Sequence, residues 1–295
     1  MNTNTTTSPF ASFPKLLILL LLPALLFVGS CKQQKKDGGT RYLVLSPEVA
    51  EIMAGLGLTP QIVGLTEECT YPAEFASIPK VGKFGLIRKE SVFQLEPDII
   101  FTSGLEQDAL SAELRKLDYE VISIHPRSLE DMYAGIINIG EVTNTTKRAE
   151  QMVAELKAAV AKTQGKAKDM MKPRVYIEIN RDPLMSASSD SFVGQVIKAA
   201  GGENIFETLE RDYARVKPED VILGAPDIII CYSQDSITNI VNRKGWQNIP
   251  AIKNGTIYQE SGIDPDLIQR AGPRVVKGIE RLHSLFKAWE QNQGE

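Results

Sequence analysis

Two segments, one in each half of this 295-residue chain, follow the same pattern. Glu90 stands seven residues before Pro97, and Glu219 stands seven residues before Pro226. In both segments an apolar helical turn leads to the proline, which is followed by an aspartate and two isoleucines. Because helices usually end before a proline and β-branched residues favour strands, each segment predicts a short helix that leads into a strand. The repeat indicates two similar α/β lobes.

A weaker repeat precedes each of these segments. The helical patterns at Glu51–Gly57 and Gln195–Gly201 both end in glycine, which predicts a left-handed residue after each helix. From residue 41 onward, short β-branched runs alternate with helical patterns, an order typical of α/β architecture with largely parallel sheets. The predicted strands are Arg41–Leu45, Gln61–Leu65, Ile99–Thr102, Glu120–Ile124, Arg174–Glu178, Ile228–Cys231 and Ile257–Gln259.

Between the two halves, Thr145–Lys168 carries apolar side chains at steps of three and four residues, with lysines and glutamates on the other face. This spacing predicts one amphipathic helix, about 36 Å long at 1.5 Å per residue. We therefore predict two Rossmann-like lobes with mostly parallel sheets, at residues 41–143 and 173–295, joined by a single long interdomain helix over 144–169. A single continuous doubly wound sheet is the alternative, and the long helix argues against it.

The first thirty residues are typical of a signal peptide. Lys15 precedes the apolar run Leu16–Val28, which contains a proline and is shorter than the ~20 residues that span a bilayer. Small residues then precede Cys31, as in the lipobox of bacterial lipoproteins, so Cys31 is the predicted lipidation site. Residues 31–40 are the predicted tether, and the expected location is the periplasmic or other extracytoplasmic face of a membrane. An uncleaved signal anchor is the alternative.

The sequence lacks the residues that several functional classes of protein require. The formal net charge is −4, which argues against a nucleic-acid partner. The only histidines are His125 and His283, and Cys69 and Cys231 lie in different halves, so we expect separate thiols and no zinc site. The nucleophile elbow, the phosphate loop and the zinc-protease motif are all absent. The chain is predicted not to be an enzyme.

A cleft between two lobes is where a small ligand is expected, because ligands bind beyond the carboxyl ends of parallel strands. The loops predicted at those ends, hereafter the six edge loops, are Ser46–Val49, Thr66–Ala73, Gly82–Arg88, Ser103–Gln107, Asn180–Asp190 and Ser261–Arg270. Each candidate side chain taken alone fits ordinary loop packing. As a set they suit a large flat or anionic ligand through ring stacking and polar contacts. The predicted ligand-binding residues are Tyr71, Phe84, Arg181, Asp264 and Arg270 of these loops, together with Tyr213, which is predicted to lie in the loop just before the helix that begins at Glu219.

Glu90 and Glu219 each begin a predicted helix that leads into a strand. A single acidic residue in a first helical turn is explained by the helix dipole. A matched pair, one on each lobe beside a common cleft, instead favours docking to a partner that presents two basic patches.

The order of many short segments resembles that of the cobalamin and ferric-siderophore binding proteins of ABC importers. The segments that carry the resemblance are Arg41–Pro47, Glu51–Gly57, Val63–Gly64, Cys69–Pro72, Pro79–Gly82, Glu90–Asp98, Gly201–Phe206, Pro226–Asp227, Trp246–Ala251 and Arg270–Arg274. The resemblance implies two α/β lobes bridged by one rigid helix. It also implies a metal chelate as transported ligand, with no cofactor besides, and a membrane permease as partner. In this family one glutamate on each lobe meets permease arginines, and those positions correspond to Glu90 and Glu219.

The resemblance leaves the identity of the chelate open. Tyr71, Phe84 and Tyr213 fall where cobalamin binders carry aromatic residues. Neither tryptophan does so, since Trp246 lies in a segment that is typical of the core and Trp289 in a C-terminal helix. Arg181 keeps a ferric siderophore or haem as alternatives. From other classes of protein, the alternatives are a lipid-anchored extracytoplasmic α/β enzyme and a receptor for free divalent metal ions.

Overall fold

Two mainly parallel sheets organise the part of the chain that the structure describes. The computed structural model describes residues 39–104 and 107–293. The predicted signal peptide, the lipidation site Cys31 and most of the tether lie outside these residues. None of the described helices combines the length and the hydropathy that crossing a bilayer requires.

The first lobe contains a six-stranded sheet in which only the last two-residue strand of its outer hairpin runs antiparallel. Its strands are β1 (Tyr42–Val44), β2 (Ile62–Thr66), β3 (Lys80–Lys83), β4 (Leu86–Ile87), β5 (Ile99–Ser103) and β6 (Glu120–Ile124), in the spatial order β4-β3-β2-β1-β5-β6. Its helices are α1 (Pro47–Gly55), α2 (Lys89–Leu95), α3 (Asp108–Lys116) and α4 (Leu129–Val142). The four strands predicted here are confirmed, whereas the hairpin of β3 and β4 was not predicted.

A single helix, α5 (Thr146–Ala167), connects the lobes, as the apolar spacing predicts. Its 22 residues span about 33 Å. One face is buried through Ala149, Leu156 and Val160, while the opposite face carries charged residues. Because the buried side chains belong to a core that both lobes share, the helix is packed along its length and is not a free linker.

The second lobe contains a four-stranded parallel sheet and a separate antiparallel ribbon. The sheet consists of β7 (Arg174–Glu178), β9 (Glu203–Asn204), β11 (Ile228–Cys231) and β12 (Ile257–Tyr258), in the order β12-β11-β7-β9, and the ribbon of β8 (Met185–Ala187) and β10 (Tyr213–Arg215). The helices are α6 (Phe192–Ala199), α7 (Pro218–Gly224), α8 (Ile237–Val241), α9 (Pro250–Lys253) and α10 (Val275–Gln291). Tyr213, predicted to lie in a loop, instead begins β10, because Tyr213–Arg215 pairs with β8.

The two Pro-Asp segments have the same backbone structure. Glu96 directly follows α2 and Ala225 directly follows α7, and both of these residues have φ 41° and ψ 58°. In each lobe the strand that follows pairs with the first strand of that lobe, β5 with β1 and β11 with β7. The aspartate after each proline also accepts a hydrogen bond from the residue that begins the lobe: Asp98 from the Arg41 amide at 2.7 Å and Asp227 from the Arg174 amide at 2.9 Å.

The weaker repeat is confirmed as well. Helices α1 and α6 are followed by Gly57 and Gly201, whose φ angles are +82° and +100°. The amides of Gly57 and Leu58 donate to carbonyls of the last turn of α1, and the amides of Gly201 and Gly202 do the same for α6. This pair of bonds is the Schellman motif, which favours glycine because the left-handed conformation strains residues with a Cβ.

Both sheets are buried on their two faces, as parallel sheets usually are. In β1, Tyr42 and Val44 face the core that both lobes share, while Leu43 faces an outer core of the first lobe. In β7, Val175 faces the shared core in the same way, while Tyr176 faces an outer core of the second lobe. The lobes therefore meet through a continuous apolar interior.

Candidate functional site

Loops that leave the carboxyl ends of the two sheets contact each other across the lobes. Glu51 lies in α1, which begins directly after β1, and Arg274 lies just before α10, in the segment that follows β12. The Nε and Nη2 atoms of Arg274 donate to the two carboxylate oxygens of Glu51 at 2.8 and 2.6 Å. The carboxyl edges of the two sheets thus lie close together here, which is where a ligand of such sheets is expected.

A second contact joins the lobes, between the segment after β6 and the antiparallel ribbon of the second lobe. Arg127 follows β6, and its Nε and Nη2 atoms donate to the carboxylate of Asp212, one residue before β10, at 2.8 and 2.7 Å. These hydrogen bonds hold the pKa of Asp212 below its usual value. Nearby, the Leu129 amide donates to the Gln195 side chain at 3.2 Å, which adds a polar contact between α4 and α6.

The first contact is part of a charged group around the buried Glu51, hereafter the Glu51 cluster, formed by Glu51, Asp264, Asp266, Arg270 and Arg274. The Glu51 side chain is 3% exposed. Arg270 lies 3.6 Å from Glu51 and 2.9 Å from Asp266, and Arg274 lies 3.9 Å from Asp264. The hydrogen bonds to Glu51 raise the pKa of Arg274, and burial raises the pKa of Asp266 against the lowering effect of Arg270.

Tyr71 joins this cluster from the loop after β2. The guanidinium carbon of Arg274 lies 4.3 Å from the centre of the Tyr71 ring, in a cation–π arrangement. The ring is still 44% exposed, so one face is open to other contacts. The structure thus places Tyr71, Asp264 and Arg270 around one group, with Arg274 at its centre.

Sequence reasoning did not select Glu51 or Arg274 as site residues. A signal was present for Glu51, since it is the one charged residue among the apolar positions Val49–Met53 of α1, and a buried acid needs a partner. For Arg274 the signal was its spacing, four residues after Arg270.

Arg181 belongs to a different charged group, hereafter the Glu178 cluster, formed by Glu178, Arg181, Asp235 and Arg243. Glu178 ends β7 with a 1% exposed side chain and accepts hydrogen bonds from Arg243 at 2.5 and 2.7 Å. Arg243 also donates to Asp235 at 2.8 Å, and Asp235 pairs with Arg181. Burial alone would raise the pKa of Asp235, but hydrogen bonds from Arg243 and Asn239 lower it, together with the charge of Arg181.

The two remaining aromatic candidates lie on separate carboxyl-edge elements. Phe84 is half-buried at the tip of the β3–β4 hairpin, and its amide donates to Glu68 at 2.9 Å. Tyr213 pairs with Ala187 in the ribbon and directly follows Asp212, so it lies beside the contact with Arg127. Tyr213 is 38% exposed.

Glu90 and Glu219 occupy equivalent positions, each as the second residue of a seven-residue helix. Both are exposed, and neither is hydrogen-bonded or ion-paired to another described residue. Each helix ends where the next strand enters the amino edge of its sheet, and each is about 10 Å long. The N-termini of α2 and α7, which carry the glutamates, therefore lie toward the carboxyl edges.

Among the described residues, no group of three or more His, Cys, Asp or Glu side chains is arranged to hold a metal ion. Cys69 and Cys231 are buried free thiols, and burial raises the pKa of both. A pocket of about 530 Å³ lies away from the carboxyl edges, where the end of α1 at Gly55 meets Arg148 and Met152 of α5. A second, of about 220 Å³, lies beside His125 at the end of β6.

Known proteins are similar to this chain in both sequence and fold. Residues 43–260 match the model of the family described as periplasmic binding protein. The uncharacterized ABC transporter substrate-binding lipoprotein YvrC of Bacillus subtilis is 29% identical over 82% of this chain and 78% of its own length. A vitamin B12-binding protein of Vibrio vulnificus is 24% identical over 86% of this chain and 92% of its own.

A solved structure extends the comparison to the fold. It is that of a possible iron-binding (periplasmic solute-binding) protein from Staphylococcus epidermidis, which is 26% identical and has a TM-score of 0.74, over 83% of this chain and 97% of the other. The predicted resemblance is confirmed, and with it the two-lobed α/β fold. The chain belongs to the periplasmic binding protein family, whose members here are substrate-binding proteins of ABC transporters and not enzymes.

Proposed function

We propose that this chain captures a metal chelate between its lobes and delivers it to the permease of an ABC importer. The observation that carries the proposal is the meeting of the two carboxyl edges, where aromatic and polar side chains from both lobes converge on one surface. Vitamin B12 binding by one relative and iron binding by a structural neighbour support cobalamin or a ferric siderophore as ligand. Haem is the alternative within the same family.

Each ligand-binding role follows from a side chain's chemistry. The open face of Tyr71 suits stacking against a flat ligand, and Phe84 and Tyr213 offer further ring surface. Arg181, Asp264 and Arg270 offer hydrogen bonds. Because these groups are held by ion pairs before a ligand arrives, little side-chain ordering is needed on binding.

Docking to the permease is assigned to Glu90 and Glu219. The equal backbone geometry of α2 and α7 gives the two carboxylates matching positions on the two lobes, and both are exposed and unpaired. Exposed charges of this kind set orientation and association rate when they meet basic patches. Because the lobes share one core and one packed helix, we expect only a small change of shape on ligand binding.

Membrane attachment through a lipid on Cys31 completes the proposal, and the lipoprotein relative supports it. The variant Cys31→Ser is expected to appear in the soluble fraction of the envelope, whereas the parent protein sediments with membranes. Equal sedimentation of both would contradict the assignment.

Ligand capture is tested by thermal shift on the purified chain without its first 31 residues. Cobalamin, haem and a panel of ferric siderophores are added at a hundred times the dissociation constant or more. A true ligand at that concentration adds about 2.7 kcal/mol, which raises the Tm of a chain of this size by about 5–10 °C. If no chelate raises the Tm in a concentration-dependent way, chelate capture is wrong.

Docking is tested with the double variant Glu90→Lys/Glu219→Lys. Uptake of the chelate by cells that depend on this chain is expected to fall tenfold or more, while the affinity for the chelate is retained, because like charges then face the permease. The control Glu120→Lys/Glu150→Lys makes the same change of charge at exposed positions outside α2 and α7. Equal uptake by the two double variants would contradict docking through Glu90 and Glu219.

A further inference from the structure

Negative charge is concentrated on the surface where the lobes meet. Among the described residues, the six edge loops contain seven acidic and four basic residues, a formal charge of −3. The loops after β6 and β11 add one charge of each sign, Arg127 and Asp235, and leave this formal charge unchanged.

Three arginines of this surface, Arg181, Arg270 and Arg274, are already paired with carboxylates. Arg270 and Arg274 contact Glu51 and Asp266, and their side chains are 19% and 14% exposed. Arg181 pairs with Asp235, which a second arginine also contacts. An anionic ligand that recruited one of these guanidinium groups would therefore compete with a carboxylate for it, and weakening such a pair is costly where the carboxylate is buried.

Carboxylates, in contrast, are partly open to a ligand. The Asp264 side chain is 51% exposed, and its nearest guanidinium contact, with Arg274, is at 3.9 Å. The Asp266 side chain is 31% exposed. Both residues follow β12, beside Arg270 and Arg274, and Arg274 also contacts the Tyr71 ring. Within the Glu51 cluster, the polar groups most open to a ligand are thus negatively charged hydrogen-bond acceptors.

We propose that the interlobe site selects metal chelates that carry no net negative charge, and that Asp264 and Asp266 are the residues that set this selectivity. The inference rests on the proposed function, since it concerns the ligand of that site. A neutral or cationic complex with amide N–H groups can donate hydrogen bonds to these carboxylates. A polyanionic complex is repelled by about tenfold in affinity for each of its charges near the two aspartates.

The test compares probes that differ in charge, using calorimetry on the chain after residue 31. The probes are cyanocobalamin and a ferric trihydroxamate without net charge, a ferric trihydroxamate with one positive charge, and a ferric tricatecholate with three negative charges. We expect a neutral or cationic probe to bind and the tricatecholate to bind at least a hundredfold more weakly. If the tricatecholate binds most tightly, the charge inference is wrong while chelate capture stands; if none of the probes binds, chelate capture itself fails.

Asp264→Asn/Asp266→Asn removes two charges without changing side-chain size. The affinity ratio of the tricatecholate to the best neutral probe is expected to rise tenfold or more. The control Glu120→Gln/Glu150→Gln removes two exposed charges elsewhere and is expected to leave the ratio within about twofold. An equal rise in both double variants, or in neither, overturns the assignment to the aspartates.

Salt provides a second measurement that needs no variant. Because screening weakens repulsion, binding of the tricatecholate to the parent protein is expected to strengthen between 0.05 and 0.5 M NaCl, on the scale over which the Debye length falls below about 10 Å. Binding of a neutral probe is expected to change little. Weaker tricatecholate binding at high salt would indicate an attractive, basic site and overturn the proposal.

Discussion

The lobes are joined by two sets of charged contacts that differ in burial. In the Glu51 cluster the acceptor is 3% exposed and two arginines surround it. In the other contact, Arg127 is 72% exposed and faces a single carboxylate, Asp212. Both contacts join the two lobes, and both include a guanidinium with two hydrogen bonds to one carboxylate.

Similar hydrogen-bond geometry in the two contacts has unequal energetic consequences. Removing one partner of a buried pair leaves an uncompensated charge away from water, which is strongly destabilising. Removing one partner of an exposed pair leaves a charge that water solvates. The interlobe arrangement is therefore expected to depend mainly on the Glu51 cluster.

The largest effect is expected from Glu51→Gln. The amide keeps the shape of the side chain but leaves Arg270 and Arg274 without their shared buried counter-charge, so we expect a loss of about 3–5 kcal/mol in the free energy of unfolding. Urea denaturation followed by circular dichroism measures this. A loss below about 1 kcal/mol would show that the two contacts are equivalent after all.

A double-mutant cycle separates the ion pair from the packing around it. Arg274→Met removes the main donor to Glu51 while keeping an apolar stem of similar length. If the charge pair causes the loss of stability, the double variant Glu51→Gln/Arg274→Met loses less free energy of unfolding than the two single variants together. The reason is that neither charge of the pair is then left alone. Additive losses would assign the effect to packing.

A smaller effect is expected from Tyr71→Ala. The ring contributes a cation–π contact with Arg274 but is 44% exposed, so we expect a loss of about 0.5–1 kcal/mol in the free energy of unfolding. Tyr71→Phe retains the ring and is expected to differ little from the parent protein. A loss of 2 kcal/mol or more in the alanine variant would mean that Tyr71 supports the cluster more than its exposure indicates.

Much of the fold could be predicted because it depends on local patterns. Residues Thr146–Ala167 are helical because apolar side chains recur at helical spacing, and Gly57 and Gly201 end helices because they accept positive φ. The short strands β4, β8, β9 and β10 were not predicted. They have two or three residues each, and for strands that short pairing with a neighbour matters more than a periodic pattern.

Less of the candidate site could be predicted from the sequence, because the residues that pair there are far apart along the chain. Glu51 and Arg274 are separated by 223 residues, and only the folded chain brings them together. Arg181 and Arg270 could be selected as polar loop residues, but their pairing with Asp235 and Asp266 could not. The sequence thus indicated which surface binds a ligand, while the charge that this surface presents depends on tertiary contacts.

The smallest effects are expected from two aspartates, one in each contact, and they have opposite signs. Arg127 lowers the pKa of Asp212 in the folded state, so the ionised carboxylate adds stability above its unfolded pKa of about 4, and this stability is lost as the pH falls through the folded pKa. Burial raises the pKa of Asp266, so its ionised form instead costs stability at neutral pH, and this cost disappears on acidification.

Asn replaces each carboxyl with an uncharged group of the same size, so the two variants test these signs. At pH 7, Asp212→Asn is expected to be less stable than the parent protein and Asp266→Asn at least as stable. Urea unfolding at intervals from pH 7 to pH 3 measures both differences. The difference for Asp266 is expected to disappear as the pH falls through its raised folded pKa to the unfolded value, whereas that for Asp212 begins to shrink only below its unfolded pKa of about 4. Differences of the same sign at pH 7 would show that burial does not distinguish the two contacts, because the exposed pair would then behave as the buried cluster does.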